Sequence, residues 1–438
     1  MNREVVTKYG RIAGIEQESW MEFRGIPFAK APVGELRWKA PVAPESWEGT
    51  YYANQFKAKS MQREGSSPPW DKDFYDDPAF ERPSSEDCLY LNIWAPKDAE
   101  NCPVAIWIHG GAFLGGFSSE KEFDGAAYAK RGVIFVSIQY RLGVLGFLAH
   151  PWLTAEAGTS GNYGILDQIA AINWVYDNIG AFGGDPENIT IFGQSAGAMS
   201  VQTLISSPLT GDRIKRAILQ SGGSYGEGLH RDMTLAEAEQ YGLMFSEMMQ
   251  AEDLAALRAL PAEEIFAATD AFMAKAMPTA RGLFLTPNID GILLTSGYYE
   301  AIDQGEIKDI PYMLGSTKND ITVEGDPKDP TESPLHRGCI AFTKKLEELG
   351  RKPAYVYYFQ RNLPGDEQGA WHSAELWYMM GTLGRCWRPF TPEDYTLSDQ
   401  MLDYWCNFMR NGDPNGAGLP QWKPCSSADG FVQTFDVE

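Results

Sequence analysis

Short apolar, β-branched runs alternate along the chain with stretches whose apolar residues recur every three to four positions. The runs LYLNIWA (89–95), VAIWIH (104–109), VIFVSIQ (133–139), ITIFG (189–193), AILQ (217–220), PYMLG (311–315), AYVYYF (354–359) and VQTF (432–435) have the length and residue types of strands. Runs at 5–7 and 11–14 flank Lys8-Tyr9-Gly10 and predict a hairpin. Helical spacing predicts helices over 167–179, 196–205, 235–250, 254–259 and 397–410. Strands apolar on both faces with helices between them predict an α/β protein with a mostly parallel sheet covered on both sides. No internal repeat and no low-complexity linker divides the chain. It reads as one domain over 1–438, with a proline- and acid-rich loop at 63–87 and a helical cap excursion at about 234–287.

Composition narrows the partners. With 438 residues and 44% hydrophobic content the chain can bury a large core. It carries 59 acidic against 37 basic residues, a net charge of −22, which argues against nucleic acid and against an anionic membrane surface. No run of 18 apolar residues is present, so no membrane-spanning helix is expected. The N-terminus, MNREVVTKYG, lacks the apolar segment of a signal peptide. The expectation is a cytoplasmic protein, a monomer or small homo-oligomer. Its six cysteines (Cys88, Cys102, Cys339, Cys386, Cys406 and Cys425) are then reduced. Neither the cysteines nor the histidines have metal-ligand spacing, so neither a metal nor a cofactor is expected.

One stretch carries candidate chemistry. In ITIFGQSAGAMSV (189–201) a strand runs into a helix through Gly-Gln-Ser-Ala-Gly, the nucleophile-elbow pattern. Glycines on either side remove the Cβ atoms that would collide where helix meets strand. Ser195 then sits at a sharp turn with its hydroxyl exposed, and the N–H of Ala196 points into the same space at a helix N-terminus. A second anion-stabilising element follows the strand VAIWIH: Gly110-Gly111-Ala112 can bring bare N–H groups to a developing oxyanion. Gly111, Ala112 and Ala196 are the candidate oxyanion donors. Taken alone, the first stretch could be a capping serine and the second a glycine turn; each makes the other more credible.

A serine hydroxyl needs a base beside it. His109 precedes the glycine loop and is better placed to support it, His150 is early, and His230 and His336 lie in polar, helix-adjacent stretches. His372 lies in a loop after the late strand 354–359, where the serine–acid–histidine order of an elbow of this kind puts the base. The acid should fall between 195 and 372, after a strand. Asp320 and Glu324 both follow PYMLG; position favours Asp320, five residues beyond the strand, with Glu324 as the alternative.

These residues and the stretches around them resemble the type-B carboxylesterases, the group that includes cholinesterases and bacterial p-nitrobenzyl esterases. FRGIPFAKAPVGELRWKAP (23–41), SEDCLYLNIWAP (85–96), WIHGGAF (107–113), YRLGVLGFL (140–148), residues 161–201 and AWHSAEL (370–376) match the family in order, over most of the chain. The resemblance implies an α/β-hydrolase fold and hydrolysis of small-molecule carboxylic esters. It carries over Ser195 as nucleophile, His372 as base and the oxyanion donors already named, and suggests ion pairs Arg37–Glu86 and Arg141–Asp167 as fold supports.

The chain departs from the family pattern in several places. The residue before the serine is usually glutamate and here is Gln194; the acid is usually glutamate and the matching position is Asp320. The stretch AKSMQ (58–62) lacks the cysteine expected to pair with Cys88. The acid-to-histidine segment, mostly 335–350, is short, which should lower one wall of the site. Phe113, Phe117, Trp371, Trp377 and Tyr378 lie near the motifs and are candidates for an aromatic substrate pocket, though such residues more often belong to the core. Broad specificity for small to aromatic esters is the expectation. A feruloyl or hydroxycinnamoyl esterase, a peptidase or amidase on the same fold, and a non-catalytic binding protein are the alternatives.

Overall fold

The computed structural model describes residues 4–321 and 323–437. Its centre is a ten-stranded sheet. Thirteen strands occur among the described residues: β1 (Glu4–Thr7), β2 (Gly10–Ala13), β3 (Ile15–Glu16), β4 (Trp20–Pro27), β5 (Thr50–Tyr52), β6 (Tyr90–Pro96), β7 (Cys102–Ile108), β8 (Ile134–Ile138), β9 (Gly184–Gln194), β10 (Arg216–Gln220), β11 (Tyr312–Thr317), β12 (Tyr355–Phe359) and β13 (Gln433–Phe435). β1 and β2 form the expected antiparallel hairpin and, with β5, a small separate sheet. The large sheet has the order β13-β12-β11-β10-β9-β7-β8-β6-β4-β3. From β8 across to β13 neighbours run parallel; at the other edge β6, β4 and β3 join antiparallel.

The central strands are buried on both faces, as their unbroken apolar runs require. Alternate side chains feed two cores. Ile106, Ile108, Ile191, Leu219 and Leu314 face one side, against the helices Tyr163–Asn178 and Ala196–Ser206. Trp107, Phe192, Ile218, Met313 and Tyr357 face the other, against the helix Pro392–Asn411. Four helices, Leu235–Met248, Leu254–Ala259, Ala262–Ala267 and Thr269–Ala276, follow β10 and bury Tyr241, Phe245, Leu257, Ile265 and Phe272.

Strand register brings the carboxyl ends of the parallel strands level. Ile108 pairs with Gly193, Gln194 with Gln220, and Gln220 with Gly315. The loops that leave these ends therefore meet at one edge, where ligands bind in open α/β sheets. Two ion pairs brace the region. Arg37 and Glu86 form two parallel bonds of 2.6 and 2.7 Å, and Arg141 and Asp167 two of 2.8 and 2.7 Å. All six cysteines are free, and among the described residues no helix is long and apolar enough to cross a membrane.

Candidate active site

Ser195 stands where β9 turns into the helix Ala196–Ser206, with φ 57° and ψ −125°, a conformation rarely adopted by a residue with a side chain. Its surroundings enforce the turn. The Ser195 N–H donates to the carbonyl of Gln220 at 2.9 Å. A Cβ on Gly197 would lie 2.1 Å from the carbonyl oxygen of Ile108, and one on Gly193 would lie 2.6 Å from the backbone of Gly197. Both elbow glycines are thus required by close backbone approach, not only by the turn.

The glycine loop after β7 faces the same space. Gly111, Ala112 and Phe113 all have positive φ (103°, 56° and 61°), and the Gly111 carbonyl accepts from Leu114 and Gly115 at 2.9 and 3.0 Å. Among the described residues the N–H groups of Gly111 and Ala112 meet no acceptor within the protein. The N–H of Ala196 is the first of its helix, where no intrahelical acceptor is available. A side chain the sequence did not single out clamps this loop. Buried Gln62 accepts from Gly116 N–H at 2.8 Å and donates to the Gly116 carbonyl at 2.9 Å. His109, held neutral by burial that pushes its pKa down to about 4, stacks on Tyr140 beneath the loop.

Asp320 lies in the loop that leaves β11 and His372 in the loop that leaves its parallel neighbour β12. Asn319 bonds to Ala370 through both its backbone N–H (2.9 Å, to the carbonyl) and its side-chain oxygen (3.0 Å, from the N–H). That pairing holds the two loops in register, and His372 Nδ1 lies 2.5 Å from Asp320 Oδ1. Asp320 also accepts from Ser221 Oγ (2.6 Å), Thr317 N–H (3.0 Å) and Ile321 N–H (2.8 Å). Burial pushes its pKa up, but the imidazole and these donors outweigh burial and hold it below the ordinary carboxylate value. Glu324, the alternative acid, is exposed. With Asp320 on Nδ1, the proton of the neutral ring belongs there and Nε2 carries a lone pair. Gln194 Nε2 donates to that lone pair at 3.1 Å. The Ser195 hydroxyl makes no hydrogen bond among the described residues.

Ser195, His372, Gly110, Gly111 and Ala112 line one cavity of about 220 Å³. Its aromatic wall is Trp70, Phe74, Tyr75 and Phe123, with Leu376 and Ile321. The five aromatics expected there from sequence are elsewhere. Phe113, Trp371, Trp377 and Tyr378 are buried in the two cores, and Phe117 is buried behind Tyr75; Phe113 packs on Phe147, Trp377 on Phe74, and the Tyr378 hydroxyl donates to Asp394 at 2.6 Å. Closeness in sequence to a loop residue says nothing of which face a side chain takes, and burial of a large ring against other rings wins. Three of the four aromatics of the wall, Trp70, Phe74 and Tyr75, come from the proline- and acid-rich loop at 63–87. Ser221 was also missed; its signal is its place immediately after the end of a parallel strand. The remaining histidines are structural: His150 caps a helix and meets Ser246, His230 pairs with Asp232, and His336 packs on Tyr358.

A sheet of this order with a serine on a strained strand–helix elbow at its carboxyl edge defines an α/β-hydrolase. The chain belongs to the carboxylesterase family, whose model matches residues 1–336 and 330–438, and it is a carboxylic ester hydrolase. It is 39% identical to the fumonisin B1 esterase of Sphingopyxis macrogoltabida, over 98% of this chain and 85% of that one. It is 39% identical to the para-nitrobenzyl esterase of Bacillus subtilis (strain 168), over 94% and 90%. Among solved structures, a PNB esterase superposes with a TM-score of 0.85 at 29% identity over 100% and 96% of the two chains. A Geobacillus stearothermophilus carboxylesterase does so with 0.81 at 33% identity over 99% and 96%.

Proposed function

We propose that the chain hydrolyses small to aromatic carboxylic esters through an acyl-enzyme on Ser195. The observation that carries this reading is the meeting, in one cavity, of the strained serine, the glycine loop and an imidazole held at 2.5 Å by a buried carboxylate. When an ester enters, Gln194 swings off His372 Nε2 and the serine hydroxyl takes its place as donor. Ser195 Oγ attacks the carbonyl carbon as His372 Nε2 takes its proton, while Asp320 steadies the imidazolium through Nδ1. The N–H groups of Gly111, Ala112 and Ala196 receive the oxyanion, each contributing about 3 kcal/mol to the transition state. His372 returns the proton to the leaving alkoxide. Water then adds to the acyl-enzyme by the same route, releasing the acid and restoring the serine.

The cavity's aromatic wall suits aryl and benzyl groups, in keeping with a relative named for para-nitrobenzyl esters. Ser195→Ala should abolish turnover of p-nitrobenzyl and p-nitrophenyl esters and labelling by a fluorophosphonate, with folding intact. Near-normal turnover in that variant would refute the assignment. A matched panel of esters and anilides separates an esterase from an amidase.

A further inference from the structure

Much of the aromatic wall of the catalytic cavity stands on the helix Trp70–Phe74. Five residues make little more than one turn, too short to hold itself together. Trp70 and Phe74 line the cavity, and their rings meet the segment that carries His372. Trp70 lies edge to face with Trp371 and with His372, at 5.9 and 6.4 Å, and Phe74 lies 5.6 Å from Trp371. Asp73, between them, is fully buried and meets Arg388 instead. Both of its oxygens accept from Arg388 Nε, at 3.2 and 3.0 Å, and one also accepts from Trp387 Nε1. The rest of the buried guanidinium holds a second loop. Nη1 donates to the Pro364 carbonyl at 3.0 Å and to Asp366 Oδ1 at 2.9 Å, and Nη2 donates to Asp366 Oδ2 at 2.8 Å. Pro364 and Asp366 belong to the loop that leaves β12 and leads to His372. One buried cation thus ties the aromatic wall to the histidine loop.

We propose that Arg388 is a positioning residue for ester hydrolysis, acting through two arms. Through Asp73 it seats Trp70 and Phe74 against the ring of an aryl ester; through Asp366 it sets the loop that presents His372. The proposal rests on Ser195 and His372 being the nucleophile and base of this cavity. Cys88 is free, so no disulfide restrains the loop at 63–87, and its contacts have to. Ring packing is non-directional and leaves a short helix free to slide. A planar guanidinium with fixed donors holds its carboxylates in angle as well as distance. Neither arm touches the reacting atoms, and each carboxylate can be removed while the guanidinium keeps the other.

Asp73→Asn and Asp366→Asn each cut one arm and keep side-chain volume. Benzyl acetate and methyl phenylacetate carry a ring on the alcohol or the acyl side; methyl acetate carries none. Asp73→Asn should lower kcat/KM for at least one of the two aryl esters, relative to methyl acetate, by about 10-fold, the lower end of what a pocket contact discriminates. Asp366→Asn should lower kcat on all three by about 10-fold or more and keep their ratios, because a misplaced base slows every substrate alike. Arg388→Met, uncharged and of similar reach, should show both losses. Urea midpoints separate these effects from stability. Unchanged ratios in Asp73→Asn would overturn the first arm and unchanged kcat in Asp366→Asn the second, whatever the midpoints do. The two asparagine variants decide the matter even if Arg388→Met fails to fold. Absence of turnover and of fluorophosphonate labelling in the unaltered enzyme would instead sink the hydrolytic reading.

Discussion

The side-chain nitrogen of Gln194 donates to His372 Nε2 at 3.1 Å, the atom that must accept the serine proton if His372 is the base. The neighbour of the base is thus neutral, where the family usually has glutamate. A carboxylate at that point would stabilise the imidazolium relative to the neutral ring. Gln194→Glu should therefore move the acid limb of kcat/KM upward by about one pH unit, because the base is lost at a higher pH. A pH–rate profile on a neutral aryl ester checks this, and a limb that stays in place or moves downward would contradict the assigned geometry.

Gln62 reaches across from a separate loop and bonds both backbone groups of Gly116, at 2.8 and 2.9 Å. Gln62→Ala leaves a buried N–H and a buried carbonyl without partners, a loss of about 1–3 kcal/mol in stability. The loop so loosened carries Gly111 and Ala112, whose N–H groups, as the proposed oxyanion donors, must be aimed in advance to be of use. kcat should fall by about 10-fold with KM little changed, alongside a lower urea midpoint. Unaltered kcat in a destabilised variant would mean that the clamp serves the fold alone.

How much of this was legible in the sequence depends on whether one residue's neighbours share its environment. The strands β7 to β12 could be read because both faces are buried and no polar residue interrupts them for long. β4 could not: Glu22, Arg24 and Gly25 break its apolar pattern. Glu22 tolerates burial only because Trp20, Gln17 and Arg24 all donate to it, a fact of tertiary structure. The elbow, the glycine loop, Asp320 and His372 were legible because each sits at a strand end that chain order locates. The cavity wall was not, since Trp70, Phe74 and Tyr75 lie in a stretch whose prolines and acids mark only a loop. Glu120 and Glu122, buried beside the same cavity, were hidden for a related reason. Among 59 acidic residues, Glu-Lys-Glu reads as solvated surface, and only the fold turns both glutamates inward.

Glu375, three residues beyond His372, is fully buried, and its Oε1 accepts from Gln220 Nε2 at 3.4 Å. Burial, aided by the charge of Asp320, pushes its pKa up to about 7 from 4.5. Between those values the native protein holds a proton that the unfolded chain has lost, so stability falls as pH rises through this window. The fall contributed by Glu375 is at most about 3 kcal/mol and levels off above its native pKa. Glu375→Gln removes the titration, so the variant should gain stability relative to the unaltered protein as pH rises from about 5 to about 8. Urea midpoints at the two ends check it; parallel pH profiles for the two proteins would show that Glu375 is ionised in the fold.

Gly197 sets two effects against each other. It lies in the first turn of the helix Ala196–Ser206, where replacing glycine by alanine ordinarily stabilises a helix by up to about 1 kcal/mol. Here the new Cβ would stand 2.1 Å from the carbonyl oxygen of Ile108 and 2.9 Å from that of His109. Both atoms are backbone, so no side chain can turn aside, and helix and strand must move apart at a cost of about 3 kcal/mol or more. The clash outweighs the helical gain, and Gly197→Ala should lower the urea midpoint. The strand end that must give way leads directly into Gly110-Gly111-Ala112, so the shift separates the proposed oxyanion donors from Ser195. Loss of kcat should therefore exceed the Gln62→Ala effect, and fluorophosphonate labelling should slow in step. A Gly197→Ala protein more stable than its parent would show that helix and strand do not approach as closely as the elbow requires.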